Sequence, residues 1–410
     1  MKYVENLLKV YKNDLSKVTR FENLLLKFEE KFGKTENYEF FSSPGRTEII
    51  GNHTDHNFGK VVCASINLDT IAVASINNSN FVHIISLGYD EDYKIDITDL
   101  NIKKEDTWSC ILVKGLLEAI SKIGKIGGAN ICITSDVISS AGVSSSASFE
   151  MLISCIMNSF FNNSELDIIK LAKTGQYAEN NNWNKKSGLL DQIACGYGGM
   201  IAIDFKDINN PVIEKLNSTD LENKYDIIIT PTGKGHADLG DEYSSIPNEM
   251  ISISDTQLRN TSKENLLKNL NEIRDKVSDR ALLRAMHFFN ENERVDKLIL
   301  ALKDKRYDEF LEIVKESGLS SWKYLQNVYV NSDPSYQPIS LMLALTENYI
   351  KDNNLNASCR VHGGGFAGVI MTVLERKDSD KYIEFIEKYI KDKCYKVNIR
   401  PYGSINISRV

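Results

Sequence analysis

Cysteine is sparse in this 410-residue chain: 7 in all, widely scattered, with no C-x-x-C pair. A disulfide framework or a structural zinc site needs paired or clustered spacing, so neither is expected. Neighbours such as Ile131 and Ile133 around Cys132 mark these thiols as small buried hydrophobes of a reducing compartment. Proline is also scarce, at 7, and with 42% hydrophobic and 26% charged residues this excludes a collagen-like or disordered chain. The 6 histidines include no H-E-x-x-H pattern. Positive charge is not in surplus: Lys+Arg 49 against Asp+Glu 56 gives −7, which offers no sequence-independent attraction to nucleic acid or anionic lipid. Any polyanion must be small and locally held. No stretch supplies the ~20 apolar residues of a membrane span. Residues 1–33 mix Leu, Val and Phe with Lys and Glu at helical spacing and form no apolar leader with a cleavage site. The expectation is a soluble cytoplasmic protein, without nucleic-acid or membrane partners, of two or three domains at roughly 100–200 residues each.

What is present reads as α+β in two lobes. Residues 1–33 are helical by their apolar steps of three and four (Val4, Leu7, Leu8; Phe21, Leu24, Leu25, Phe28). Between Tyr38 and Ile85 the pattern is strand-like, with Ile49-Ile50, Val61-Val62, Ile66 and Ile71–Ala74 expected as separate strands with a loop between each pair. Trp108–Ile123 is helical, Ala129–Ser135 is β-rich, and Phe149–Phe160 reads as a buried helix. Ser164-x-x-Asp167 resembles a capping box opening the next helix. Tyr225–Thr230 is a strand, about 249–316 is mostly helical, Val369–Leu374 is an apolar run, and a helix and a last strand (about 395–399, 404–409) finish the chain. Asn209, Asn210 and Pro211 break the pattern, which places the boundary between an N-terminal part, 1–210, and a C-terminal part, 211–410. No internal repeat is present.

Four stretches carry chemistry. Gly142-Val143-Ser144-Ser145-Ser146-Ala147-Ser148 puts small hydroxyl residues at the mouth of a helix, where unpaired N–H groups and the helix dipole suit a phosphate. A solvated serine turn that only caps the helix is the plainer alternative. Asn52-His53-Thr54-Asp55-His56 follows Pro44-Gly45-Arg46 and a short strand. A carboxylate and an imidazole there suit sugar hydroxyls better than a metal, although a polar turn also fits. Asp191, in Gly188-Leu189-Leu190-Asp191-Gln192, lies twelve positions after Glu179. Two separated carboxylates beside a phosphate loop are what magnesium-dependent phosphoryl transfer requires, while either alone reads as a cap or a surface group. Arg46 is suited to charge growing on a phosphoryl group, or to a surface ion pair. Finally, Gly363-Gly364-Gly365 permits close backbone approaches, behind a ligand or in a tight turn. Gly33-Lys34-Thr35 is no P-loop, because Phe28 stands where its first glycine belongs, and no H-R-D or D-F-G set is present.

Three of these stretches together resemble the galactokinase family of the GHMP kinase superfamily. Residues 44–57, P-G-R-T-E-I-I-G-N-H-T-D-H-N, are similar to the family signature P-G-R-V-N-L-I-G-E-H-T-D-Y-N. Residues 142–150 are similar to G-L-S-S-S-A-S-x-E, and 363–368 to G-G-G-F-G-G. The resemblance implies a two-lobed fold with the active site in the cleft between the lobes, and ATP- and Mg2+-dependent phosphorylation of the anomeric hydroxyl of galactose. It implies Asp191 as base or electrostatic partner of that hydroxyl and Arg46 opposite it. Gly142, Ser144, Ser145 and Ser146 would hold the ATP phosphates, and Trp108 would stand by the adenine. Ser146 and Glu179 would be the magnesium contacts. Asn52, His53, Asp55, Gly188 and Tyr243 would hold the sugar, Tyr243 standing in a stretch (236–243) similar to H-S-L-A-S-S-E-Y. A monomer or weak homo-oligomer is expected.

The departures bear on specificity. Asn52 stands where the family has Glu, which contacts the hydroxymethyl end of galactose; losing that charge opens galacturonate or another galactose-configured sugar as the alternative substrate. Glu48 stands where the family has Asn, and the sequence offers no physical reason for it. Ile138-Ser139-Ser140-Ala141-Gly142 replaces P-I-G-A-G, with the glycine nearest the serines retained. A non-catalytic sugar- and ATP-sensing relative is the rival from another class.

Overall fold

A computed structural model of the chain describes residues 3–89, 91–138, 142–183, 187–233, 239–254 and 256–410. Their strands are β1 (Glu39–Ile50), β2 (Lys60–Ile76), β3 (Phe81–Ser86), β4 (Glu91–Asp96), β5 (Ala129–Ser135), β6 (Met200–Asp204), β7 (Val212–Leu216), β8 (Tyr225–Pro231), β9 (Ala357–His362), β10 (Val369–Glu375), β11 (Tyr395–Val397) and β12 (Ile405–Asn406). One sheet runs β12-β1-β2-β5-β3-β4, with β6 on the first part of β2 and β7 on β6; the other runs β11-β8-β10-β9. All pairings are antiparallel except β3 with β5. The α+β expectation holds.

The helices are α1 (Val4–Val10), α2 (Leu15–Phe32), α3 (Trp108–Ser121), α4 (Ser145–Phe161), α5 (Ile168–Asn181), α6 (Leu190–Tyr197), α7 (Thr219–Lys224), α8 (Gly240–Ile251), α9 (Lys263–Lys268), α10 (Leu270–Arg274), α11 (Asp279–Lys303), α12 (Tyr307–Ser320), α13 (Pro338–Asp352) and α14 (Ser379–Ile386). Strand alternation assigns each side chain to a layer. On β2, Ile71 and Val73 pack under α1 and α2 with Phe21, Leu24 and Phe28. Ala72 and Ala74 face α3 and α4, with Leu112, Leu116, Ile153 and Ile156. Between the two sheets a third core joins Ile49, Val62 and Ala64 to Ile227, Ile229, Met371 and Val373, under α11 and α12. The opposite face of the small sheet, Ile228, Ile370 and Leu374, is covered by α13 and α14.

Three sequence expectations are corrected. Ile66 and Ile71 lie on one strand, β2, which continues through an irregularity in its pairing with β1 between Ser65 and Asp69; there Asn67 pairs with Asn398, its N–H donating to Asn398 O at 3.0 Å and its Oδ1 accepting Asn398 N–H at 2.9 Å. The cap of α5 is Asp167, which accepts Lys170 N–H at 2.9 Å, while Ser164 sits in a preceding left-handed turn (φ 60°). Helix α4 begins at Ser145, four residues before Phe149, so the serines are its first turn and not a loop ahead of it.

Candidate active site

The serine stretch reaches its helix through two left-handed residues, Gly142 (φ 64°) and Ser144 (φ 59°). Ser144 occupies the N-cap position of α4 without capping it by its side chain. Its hydroxyl donates instead to Asp191 Oδ2. The N-terminus of a 17-residue helix carries partial positive charge, which suits an anion there. Asp191 is in the first turn of α6. Its Oδ1 accepts Arg46 Nε at 2.8 Å and lies 2.7 Å from Arg46 Nη2. Arg46, on β1, also donates through Nη1 to Gly142 O, and its own N–H bonds Val143 O at 3.0 Å. One strand, one turn and one helix start therefore converge on a single carboxylate.

Arg46 is 6% exposed. Burial works against its charge, but the carboxylates of Asp191 and, to a smaller extent, Glu48 together raise the pKa above the usual guanidinium value. The cation is fixed. The side chain of Asp191 is 33% exposed, which leaves it accessible to a ligand.

On α4 and α5 the Ser146 hydroxyl donates to Glu179 Oε1 at 2.9 Å. Gln192 Nε2, next to Asp191, donates to Glu150 Oε2 at 2.9 Å and to Glu179 Oε2 at 3.3 Å. Gln192 and Glu150 were not singled out by sequence reasoning beyond their place in the motifs. Trp108 stacks on Trp183 (centroids 5.6 Å, planes 27° apart) and lies against Phe149 of α4. Trp183, five residues after the final leucine-alanine face of α5 has ended, carried no motif signal.

The residues expected at the sugar form a second wall. Asp55 presses against Gly188: a Cβ at position 188 would fall 1.8 Å from Asp55 Oδ2, so any larger residue there would push the Asp55 carboxylate aside. His53 Nε2–H donates to Gly364 O at 2.8 Å. Burial lowers its pKa to about 3, which keeps the imidazole neutral. Tyr243, on α8, donates to Gly365 O at 2.9 Å, and burial raises its pKa. A Cβ on Gly364 would lie 2.3 Å from the Tyr243 ring, which explains the middle glycine of the triplet. Asn52 is placed differently from its expected role. It is 1% exposed, and its amide is spent on Glu48, Gly363 O and Asn327, so it lies beneath the wall. Of the stretches singled out, 139–141 and 236–238 lie outside the described residues.

The two walls meet where Gly363 packs on Gly142, a Cβ on the former lying 3.4 Å from the latter's carbonyl oxygen. A helix N-terminus, a buried guanidinium, an accessible carboxylate and the polar side chains of His53, Asp55 and Tyr243 thus share one region. Among described helices none is long and apolar enough to cross a membrane.

Comparison with known proteins agrees. Residues 26–76 match the galactokinase galactose-binding signature, and residues 111–199 match the GHMP kinases N-terminal domain. The chain is 31% identical over 379 residues to a galactokinase of Clostridium perfringens strain 13, covering 89% of this chain and 92% of that protein. It is 30% identical over 393 residues to a galactokinase of Limosilactobacillus reuteri DSM 20016, covering 91% and 94%. Its fold superposes on the crystal structure of Lactococcus lactis galactokinase complexed with galactose with a TM-score of 0.81, at 24% identity, covering 94% of this chain and 100% of that one. With 30–31% identity to these two galactokinases over nearly its whole length, the chain belongs to the galactokinase family of the GHMP kinases and is a sugar kinase.

Proposed function

We propose that this enzyme transfers the γ-phosphoryl group of ATP to the anomeric hydroxyl of galactose, giving galactose 1-phosphate and ADP. The observation that carries the reading is the sharing of Asp191 between Arg46 and Ser144. Oδ1 is held by the guanidinium, and Oδ2 already accepts a hydroxyl hydrogen, that of Ser144. A sugar hydroxyl at Oδ2 would be oriented in the same way, and its proton has a carboxylate to move to as the oxygen attacks phosphorus. Arg46 then faces the charge accumulating on the phosphoryl oxygens. The N–H groups of the first turn of α4 take the remaining phosphates. Alignment and fixed charge supply the catalysis, with no covalent enzyme intermediate.

Ser146 and Glu179 offer hard oxygen donors suited to magnesium, which commonly takes only one or two protein ligands beside phosphate and water. They would hold the ion; when bound it neutralises phosphate charge. Trp108 and Trp183 supply an aromatic face for the base. Asp55, His53, the Gly188 backbone and Tyr243 form the sugar side. In the same reading residues 1–210 and 211–410 are the lobes flanking the site, with β7 and β12 added from the second half to the first sheet. The galacturonate alternative rested on Asn52 facing the sugar, and its burial gives that alternative no support.

The test is ADP release over a panel of galactose, galacturonate, glucose and arabinose. Turnover with galactose above the others is expected. No ADP from galactose, with ADP from another sugar, overturns the substrate; no ADP from any sugar overturns turnover.

A further inference from the structure

The two departures from the family signature, Glu48 for Asn and Asn52 for Glu, touch each other. Asn52 Nδ2 donates to Glu48 Oε1 at 3.0 Å, and the same oxygen accepts Arg360 Nη2 at 2.9 Å. All three side chains are buried. Relative to the family signature, carboxylate and amide are exchanged at these two positions, and in this chain the two are in contact. Arg360 holds the carboxylate at position 48, since its Nη1 is also tied, to Ile49 O at 2.8 Å. A carboxylate only accepts, so its neighbour at position 52 has to donate.

The same amide continues into the sugar wall. Asn52 Nδ2 donates to Gly363 O at 2.7 Å, and Asn52 Oδ1 accepts Asn327 Nδ2 at 2.8 Å. Asn327 Nδ2 reaches Gly364 O at 3.2 Å, where His53 also donates, and Tyr243 takes Gly365 O. Each carbonyl of the glycine triplet is therefore held by a side chain, and the first of the three by Asn52, whose amide Glu48 also holds. From below, His287 Nε2–H donates to Asn52 O at 2.9 Å, and Glu291 accepts Gly51 N–H at 3.0 Å, fixing the backbone that carries Asn52.

We propose that Glu48 and Asn52 form one coupled positioning pair, anchored by Arg360, that sets the place of the Gly363–Gly365 turn and so of His53 and Tyr243 at the sugar. The identity of the sugar rests on the function proposed above; the coupling does not. The pair has a directional signature. Asn52→Asp keeps the shape but sets a second carboxylate against Glu48 and against Gly363 O, in a buried place where repulsion is little screened. Glu48→Gln in the native background deprives Arg360 of its counter-charge. In the Asn52→Asp background the same change removes the repulsion, returns a donor to the contact and keeps one negative charge beside Arg360. Glu48→Gln is therefore harmful alone and beneficial in combination.

The experiment is a double-mutant cycle on the full-length enzyme, read by thermal melting and by the KM for galactose and for ATP. Asn52→Asp is expected to raise the galactose KM about tenfold, the size of one lost hydrogen bond, with a smaller rise for ATP. Adding Glu48→Gln should bring the galactose KM to within about threefold of the native value and raise the melting temperature above that of Asn52→Asp. If Asn52→Asp does not fold, recovery of folded protein in the double variant is the expected result. A double variant no better than Asn52→Asp in yield, melting temperature and galactose KM overturns the coupling. Equal rises in the two KM values overturn the positioning of the sugar side. A native enzyme inactive on galactose defeats the proposed substrate, while the melting limb, which needs no substrate, still decides the coupling.

Discussion

Asp191→Asn removes one charge at nearly constant shape, and its effects on turnover and on stability are separable. Asp191 receives Nε and Nη2 of Arg46 and the hydroxyl of Ser144. An amide keeps one acceptor and turns the other towards donation, so Arg46 loses its counter-charge and an incoming sugar hydroxyl loses its proton acceptor. A fully buried pair broken on one side costs about 3–5 kcal/mol. Asp191 is 33% exposed, and water shares the loss, so about 1–2 kcal/mol of stability is expected to go. Losing a positioned proton acceptor costs about 10²–10⁴ in rate; near the middle, about 10³, this is about 4 kcal/mol of barrier. The assay is coupled ADP release under saturating galactose and ATP, with melting and nucleotide binding measured on the same preparation. The expected result is folded protein that binds ATP and turns over about a thousandfold more slowly. Turnover within about threefold of native would refute the role of the carboxylate.

Other consequences follow from single contacts. Glu179→Gln removes the carboxylate bonded to Ser146 and should raise the magnesium concentration needed for half-maximal turnover about tenfold or more, leaving the galactose KM nearly unchanged; an unchanged magnesium titration contradicts this. ATP should quench tryptophan fluorescence in the native enzyme and much less in Trp108→Phe, since Trp108 and Trp183 stack together; equal quenching in both would place the base elsewhere. Burial opposes the charge of Glu291, yet Arg294 and its other cationic neighbours hold its pKa down at about 2, so this carboxylate stabilises the fold fully above the ordinary carboxylate value and loses that contribution as pH falls towards about 2. Urea unfolding of Glu291→Gln should therefore lie furthest below native at neutral pH, with the gap narrowing as pH falls below about 4.5; a gap independent of pH would contradict it.

The parts of the site that were legible in the sequence are those whose chemistry is local. A glycine followed by serines marks a helix mouth whatever surrounds it, and Ser144–Ser146 open α4. The strand at Ile49-Ile50 and the helix ending near Glu179 were equally readable from their apolar periods. The convergence of Arg46, Gly142 and Asp191 was implied only by the family resemblance and not by local pattern, because residues 145 positions apart meet only through β1, a turn and α6. β2 read as several strands because Asn67 signals a turn, and its partner, Asn398, lies 331 positions away. Glu48 had no reason in the sequence because the reason is Arg360, on β9. Asn52, placed at the sugar by the family resemblance, is claimed by Gly363 and Asn327 from the other half of the chain. Trp183 shows the same limit, since an aromatic after a helix end acquires meaning only once Trp108 lies over it.

The most direct test is to identify the product. The native enzyme is incubated with ATP, magnesium and galactose carrying 13C at C1, and the phosphorus is located by its coupling in the NMR spectrum. A sugar oxygen bound at Asp191 beside Arg46 and the first turn of α4 predicts a 13C1 signal split by phosphorus, appearing in step with ADP. Phosphorus on any other carbon of the sugar, or ADP formed without phosphorylated sugar, would contradict it.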